Sequence, residues 1–213
     1  MSLLSRDRVL VALEPHAVHA VRPKTGEKRS VAAWSQEAFK ELIAGWPRAE
    51  VTVVVSNRLV RYVVVPRTAG VSGDAQELAL ARHHFSRVHG ERSRDWDVRY
   101  SRETGLASAV DQSLIDELKS LARVRSLQPY LMAAFNRLRP RVPREGAWIV
   151  LPEAQATCVA LYAKGAWAGV SVSRATGETA IERERMRMGS AQAPNTVLTP
   201  PGNDGYAMAM SAQ

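Results

Sequence analysis

Five histidines, one cysteine and a serine-bearing apolar run are the side chains with the most chemical reach in this sequence. His16 and His19 stand three apart in a stretch that reads as extended, so they point to opposite faces and cannot share a metal there. His83, His84 and His89 fall on the polar side of an expected helix, at spacings that do not stack them. A metal site needs several convergent ligands, and all five histidines are read as surface or packing residues. Cys158 sits between Thr157 and Val159 in an apolar strand and reads as a small core residue. A lone cysteine allows no internal disulfide and fits a reducing compartment. Gly169-Val170-Ser171-Val172-Ser173 comes nearest to a nucleophile elbow, but it lacks the final glycine and alternates like a plain strand. Walker A, G-x-S-x-G and H-E-x-x-H patterns are all absent, so no catalytic residue is assigned and no enzyme is expected.

Charge is the other possible chemistry. The formal net charge is +8, and lysine is scarce, at Lys24, Lys28, Lys40, Lys119 and Lys164 only. Arg82, Arg87, Arg92 and Arg94 decorate one expected helix and its exit. Arg137, Arg139, Arg141 and Arg144 surround a proline-rich link. The plainer account of both clusters is a solvated basic face. Next come an acidic protein partner or a lipid surface, with nucleic acid last. Nucleic-acid modules interleave exposed aromatics with basic residues, and only 6% of this chain is aromatic. No nucleic acid is therefore expected as a partner. No window approaches 18 uncharged apolar residues, and the charged start Arg6-Asp7-Arg8 lacks the apolar core of a secretory signal. A cytoplasmic location follows, peripheral to a membrane at most.

The elements that would position these residues alternate between strand and helix. Arg8 to Leu13, Ala17 to Val21 and Ser30 to Ala33 read as short strands, broken by Glu14-Pro15-His16 and by Pro23-Lys24-Thr25-Gly26. Ser35 caps a helix to about Ala44. Val51 to Val55 is a continuous apolar run that must be covered on both faces. Leu59 to Val65 follows as a strand, and Ser72 to Val88 as an Ala-rich helix. Trp96 to Tyr100 and Leu106 to Val110 form a hairpin, Ser113 to Val124 an amphipathic helix, and Pro129 opens another helix to about Arg139. Trp148 to Leu151, Thr157 to Tyr162 and Trp167 to Val172 are three strands in succession, followed by a helix from Glu178 to Met188. In the tail after Gly189, Tyr206 to Met210 reads as a possible edge strand. The expected organisation is a first lobe at 1–140, a shortened second lobe at 141–190, and a partly flexible tail at 191–213.

Within this order, Val9-Leu10-Val11-Ala12-Leu13-Glu14-Pro15 is echoed by Trp148-Ile149-Val150-Leu151-Pro152-Glu153. Each run precedes a second strand, a Lys/Gly turn, a third strand and a helix. The chain reads as two copies of a β-β-β-α unit, an α/β class. A duplicated unit of this kind resembles the actin-like (ribonuclease H-like) two-lobe fold, with its second lobe cut short. Inside that fold, residues 51 to 140 resemble the pilus-assembly protein PilM and the cytoplasmic domain of the type II secretion protein GspL. The resemblance rests on Val53-Val54-Val55-Ser56-Asn57-Arg58-Leu59-Val60-Arg61-Tyr62, on Pro66 before an Ala-rich helix, and on Ala109 to Leu118 ahead of Leu127-Gln128-Pro129-Tyr130.

That resemblance implies a phosphate site between two hairpin turns built from Asp and small residues. Glycine lets backbone N–H groups approach phosphate oxygens, while Asp holds Mg²⁺ or its water. Here the turns are Glu14-Pro15-His16 and Pro152-Glu153-Ala154-Gln155. Both lack glycine, and proline has no N–H to donate. The nucleotide site reads as degenerate, and no cofactor is expected. An alternative has Glu14 and Glu153 bind Mg²⁺ for ATP; another is a basic nucleic-acid or lipid-surface module. The implied function is a non-catalytic cytoplasmic scaffold of a type IV pilus or type II secretion-like inner-membrane assembly. Its implied partners are a membrane protein's cytoplasmic tail and an assembly ATPase. The Val51 to Val65 sheet and the helix after it are the expected docking region, through Arg58, Arg61, Tyr62, Arg82 and Arg87.

Overall fold

In a computed structural model of the chain, residues 7–66, 73–175, 177–188, 194–202 and 204–213 are described. The chain opens with β1 (Arg8–Glu14), β2 (Ala17–Arg22), β3 (Glu27–Val31), α1 (Gln36–Ala44), β4 (Glu50–Val55), β5 (Arg61–Val64) and α2 (Asp74–His89). It continues through β6 (Trp96–Ser101), β7 (Leu106–Asp111), α3 (Gln112–Leu121), β8 (Val124–Pro129) and α4 (Tyr130–Leu138). The last elements are β9 (Ala147–Glu153), β10 (Ala156–Ala163), β11 (Ala166–Ser173), α5 (Gly177–Met188), β12 (Val197–Leu198) and α6 (Gly205–Met210). They gather into two compact units: Met1–Leu59 with Ser113–Arg137 and Pro201–Gln213, and Val60–Gln112 with Leu138–Pro200.

The first unit is built on a five-stranded sheet in the order β3-β2-β1-β4-β8. β1 pairs antiparallel with β2, and β2 with β3, while β1–β4 and β4–β8 are parallel. β4 pairs on both edges, and all six of its residues, four of them valine, are buried, as befits a strand covered on both faces. Ser35 starts α1 by accepting the Ala38 N–H on its hydroxyl at 3.1 Å, and Phe39 and Leu42 face the core. Just past α1, the Trp46 indole donates to Glu27 at 3.0 Å, and the Arg29 guanidinium lies 4.4 Å over the same ring. Those two contacts tie edge strand β3 to the end of the helix.

The second unit holds a four-stranded sheet, β11-β10-β9-β12, and a three-stranded sheet, β5-β7-β6. The two-residue β10–β11 turn has Lys164 at φ 53° and Gly165 at φ 80°, the left-handed pair that matches the strand twist. α5 packs Ala180 on Trp148, Val150, Val159 and Leu161. α2 packs Ala81 and Phe85 on Val65, Val98, Ala107 and Ala109. The Trp167 N–H reaches the Thr104 carbonyl at 3.0 Å, joining β11 to the β6–β7 turn.

The two β-β-β-α units are present, as β1-β2-β3-α1 and β9-β10-β11-α5, each with its strands in the order third-second-first. Several expectations are corrected. Val124 to Pro129, read as a helix end and link, is strand β8. Its sequence, Val-Arg-Ser-Leu-Gln-Pro, has weak alternation, and pairing with β4 supplies what local preference lacks. Val51 to Val65 is not one sheet: β4 lies inside the first unit's sheet, while β5 belongs to the second unit. Tyr206 to Met210 is helix α6, not an edge strand. Asp204 Oδ1 accepts the Ala207 N–H at 2.7 Å, and the buried residues Gly205, Met208 and Ala209 follow helical spacing. The tail also carries β12, which pairs in parallel with β9. The units do not divide at residue 140, because 60–112 fold with 138–200, and 201–213 with the first segment. The expected helix start at Ser72 and the tail start at Gly189 lie outside the described residues.

Candidate functional site

In open α/β sheets, ligands bind outside the carboxyl ends of parallel strands, where backbone groups run out of ladder partners. In the first unit those ends belong to β1, β4 and β8. They bring together Glu14, the Ser56-Asn57-Arg58 turn and Pro129-Tyr130. Ser56 and Asn57 are both buried polar residues. The Ser56 N–H donates to the Leu13 carbonyl at 2.9 Å, and its hydroxyl accepts the Arg58 N–H at 3.2 Å. Asn57 Oδ1 accepts the Leu131 N–H at 3.0 Å, so a residue 74 positions earlier caps the first turn of α4. The sequence alone leaves Asn57 without an assigned role. The signal available was a Ser-Asn pair just past a valine-rich strand, where a polar side chain has a backbone group to satisfy.

The first hairpin turn is Pro15-His16, closed by the Glu14–Ala17 pair. Neither residue has positive φ; for Pro15 the ring requires this. Among the turn's two residues only His16 carries a backbone N–H. The Glu14 carboxylate lies 3.6 Å from His19 Nε2, and both side chains are mostly buried. The His19 ring meets Tyr206 of α6 edge-on at 4.9 Å, and its Nδ1 is buried without a hydrogen-bond partner.

The second hairpin turn, in the second unit, is Ala154-Gln155, closed by Glu153–Ala156. Pro152 is a correction here. It lies in β9 opposite Thr157 rather than in the turn, so it removes no donor from the turn itself. Burial pushes the Cys158 thiol well above its ordinary range, and the Glu153 carboxylate adds to that rise.

A phosphate chain needs a concave row of N–H groups that glycine leaves open, with a metal to offset any carboxylate. Both turns are without glycine, and a glutamate ends the first strand of each hairpin. The first turn also offers proline where a donor would stand. Among the described residues, no group of three or more His, Cys, Asp or Glu could hold a metal ion.

The five expected partner-contact residues are spread over both units. Arg58 follows β4 in the first unit and is half-buried. Arg61 is exposed and Tyr62 half-buried in β5, at one edge of the three-stranded sheet. Arg82 and Arg87 are exposed on α2. Five positions apart, they lie about 140° around the helix from each other, so they do not form one stripe. His89, expected on the polar side of α2, instead stacks on Phe85 at 6.3 Å and meets Trp96 edge-on at 5.0 Å. Loss of water, and next the Arg61 charge, hold its imidazole below the ordinary range. Gly169 to Ser173 is plain strand in β11, as expected.

No protein-family model matches the sequence, and no curated protein matches it. Solved structures do. One is a Bacteroides thetaiotaomicron protein with an actin-like ATPase fold and unknown function, at TM-score 0.60 and 9% identity, covering 96% of this chain and 86% of that one. Another is the cytoplasmic domain of EpsL, an inner membrane component of the type II secretion system of Vibrio cholerae. It matches at TM-score 0.60 and 14% identity, over 97% of this chain and 94% of that one. A third is a chain of the PilM–PilN type IV pilus biogenesis complex, at TM-score 0.55 and 15% identity, over 87% of this chain and 67% of that one. Together with the duplicated β-β-β-α units, these likenesses establish that the chain has the actin-like ATPase fold.

Proposed function

We propose that the protein is a non-catalytic scaffold at the cytoplasmic face of a type IV pilus or type II secretion-like inner-membrane assembly. The observation that carries this is one combination. The fold is that of EpsL's cytoplasmic domain and of the PilM–PilN complex chain, while the turn that should cradle phosphate carries Glu14 and Pro15. No helix among the described residues is long and apolar enough to cross a membrane. That partner is the cytoplasmic tail of a membrane-anchored assembly protein. It is held as an extended segment by Arg61 and Tyr62 of β5 and by Arg82 of α2, all in the second unit. An assembly ATPase is the second partner.

Two measurements test this. The first is a thermal-shift titration with ATP and Mg²⁺, for which no shift up to millimolar nucleotide is expected. A ligand at about 100 times its dissociation constant would add roughly 2.7 kcal/mol, which for a domain this size raises Tm by about 5–10 °C. Such a rise would overturn the non-catalytic assignment. The second is fluorescence anisotropy with synthetic peptides copied from the cytoplasmic segments of single-span inner-membrane proteins of the source organism. Micromolar binding that drops about tenfold in Arg61→Glu/Arg82→Glu supports the docking face. Binding indifferent to that change moves the face elsewhere, and no binding by any such peptide removes the tail as the partner.

A further inference from the structure

At the amino-terminal ends of β4 and β8, away from the crevice described above, the first unit has a pocket of about 410 Å³. The last turns of α1 and α3 form its walls. Ile43, Trp46 and Leu121 supply apolar lining, and every charged residue lining it is a cation: Lys40, Lys119 and Arg123. All three cations are exposed. Lys40 and Lys119 make no ion pair among the described residues. Arg123 shares the buried Glu50 carboxylate, at 3.6 Å, with Arg125 at 3.2 Å, so two guanidinium groups stand against one acid. Positive charge at a helix C-terminus is favourable in itself, which accounts for Lys119 in the last turn of α3 but not for Lys40 in the middle of α1. It does not account for the hollow between them, with Ile43, Trp46 and Leu121 in its lining.

We infer that this pocket docks an acidic amphipathic segment of a partner protein: a Leu, Ile or Phe side chain in the hollow, flanked by Asp or Glu facing Lys40, Lys119 and Arg123. The division of labour is physical. Rim charges in water give little affinity but steer the partner and set its register, while the desolvated apolar anchor supplies the holding energy. The cations sit on flexible exposed stems around a hollow that Ile43, Trp46 and Leu121 help to line. That suits a segment with spread charge better than a small anion needing fixed donors. Nothing in this inference depends on the tail-binding face proposed above, which lies on other elements.

The test starts from a random twelve-residue peptide display library selected on the immobilised full chain. The expected outcome is a consensus of at least two Asp or Glu around one large apolar residue. The synthetic consensus peptide, measured by anisotropy, should bind at least tenfold more weakly to Lys40→Glu/Lys119→Glu. Both positions are exposed, so that variant should melt within a degree or two of the parent, which separates lost binding from lost folding. Affinity should also fall severalfold between 50 and 300 mM salt, as exposed charges are screened. Three results would overturn the inference: no enriched consensus, a consensus without acids, or equal binding to the charge-reversed variant. Phosphatidylglycerol vesicles are the control. Vesicle binding that the same variant loses, without any peptide binding, would assign the rim to a lipid surface instead.

Discussion

Asn57 does for α4 what a helix's own first residue usually does, reaching from the end of β4 to accept the Leu131 N–H. Because both groups are buried, Asn57→Ala leaves a donor with neither protein nor water. The expected loss is about 1–3 kcal/mol in urea unfolding, whereas Asn57→Asp should recover part of it by keeping the acceptor. His89 makes a second residue-scale prediction. Its imidazole is held below its unfolded value by burial and then by Arg61. The native state therefore resists a proton that the unfolded chain accepts. Its contribution to stability is intact above about pH 6.5, the unfolded value. It is lost as pH falls from there through the folded value, and is flat below that. Urea midpoints of the parent and His89→Phe should track each other between pH 8 and 7. The parent should lose more between pH 6.5 and 5; parallel curves throughout would show that His89 carries no such penalty.

At the scale of elements, hairpin and strand entries depend on a few backbone positions that only glycine satisfies. Gly146 precedes β9 at φ 108°, and a Cβ there would run into the Tyr162 carbonyl of β10. Conformation alone costs a non-glycine residue about 1–3 kcal/mol, and the collision adds to that. Gly146→Ala should thus lower the unfolding midpoint more than Gly165→Ala, where a Cβ meets open space. Equal effects would mean that β9 shifts to make room. α6 shows how a short element escapes local reading. Tyr-Ala-Met-Ala-Met alternates as a strand does, yet Gly205, Met208 and Ala209 are the buried set, and Asp204 caps a helix. Six residues are too few for periodicity to decide, and the sheet surface of β1 and β2 makes the choice.

Over the whole molecule, the chain passes between its two units at residues 59–60, 112–113, 137–138 and 200–201. A fragment ending at residue 140, where the proline-arginine stretch invites a cut, would strand β5, β6, β7 and α2 from the rest of their unit. It would also take α6 from β1 and β2. Such a fragment should unfold without a cooperative urea transition, while the full chain unfolds cooperatively. A cooperative fragment 1–140 would restore the division expected from composition. The proline-rich link does lie at one crossing, since Arg137 ends a segment of the first unit and Leu138 begins one of the second. Composition marked the place but carried no information about which distant segment each side would join.

By itself the sequence determined the alternation of strands and helices, the repeated β-β-β-α order, the two-faced burial of β4, and the glycine-free hairpin ends at Glu14 and Glu153. Each of these is a local pattern of residue types, and local sterics or hydrophobic periodicity suffices to read it. Tertiary structure alone decided that Val124 to Pro129 is a strand, that the tail returns as α6, and that Asn57 caps a helix 74 residues away. It also decided that Lys40, Lys119 and Arg123 share one rim. These are pairings between groups far apart in the chain, whose free energy appears only once the sheet has brought them within contact.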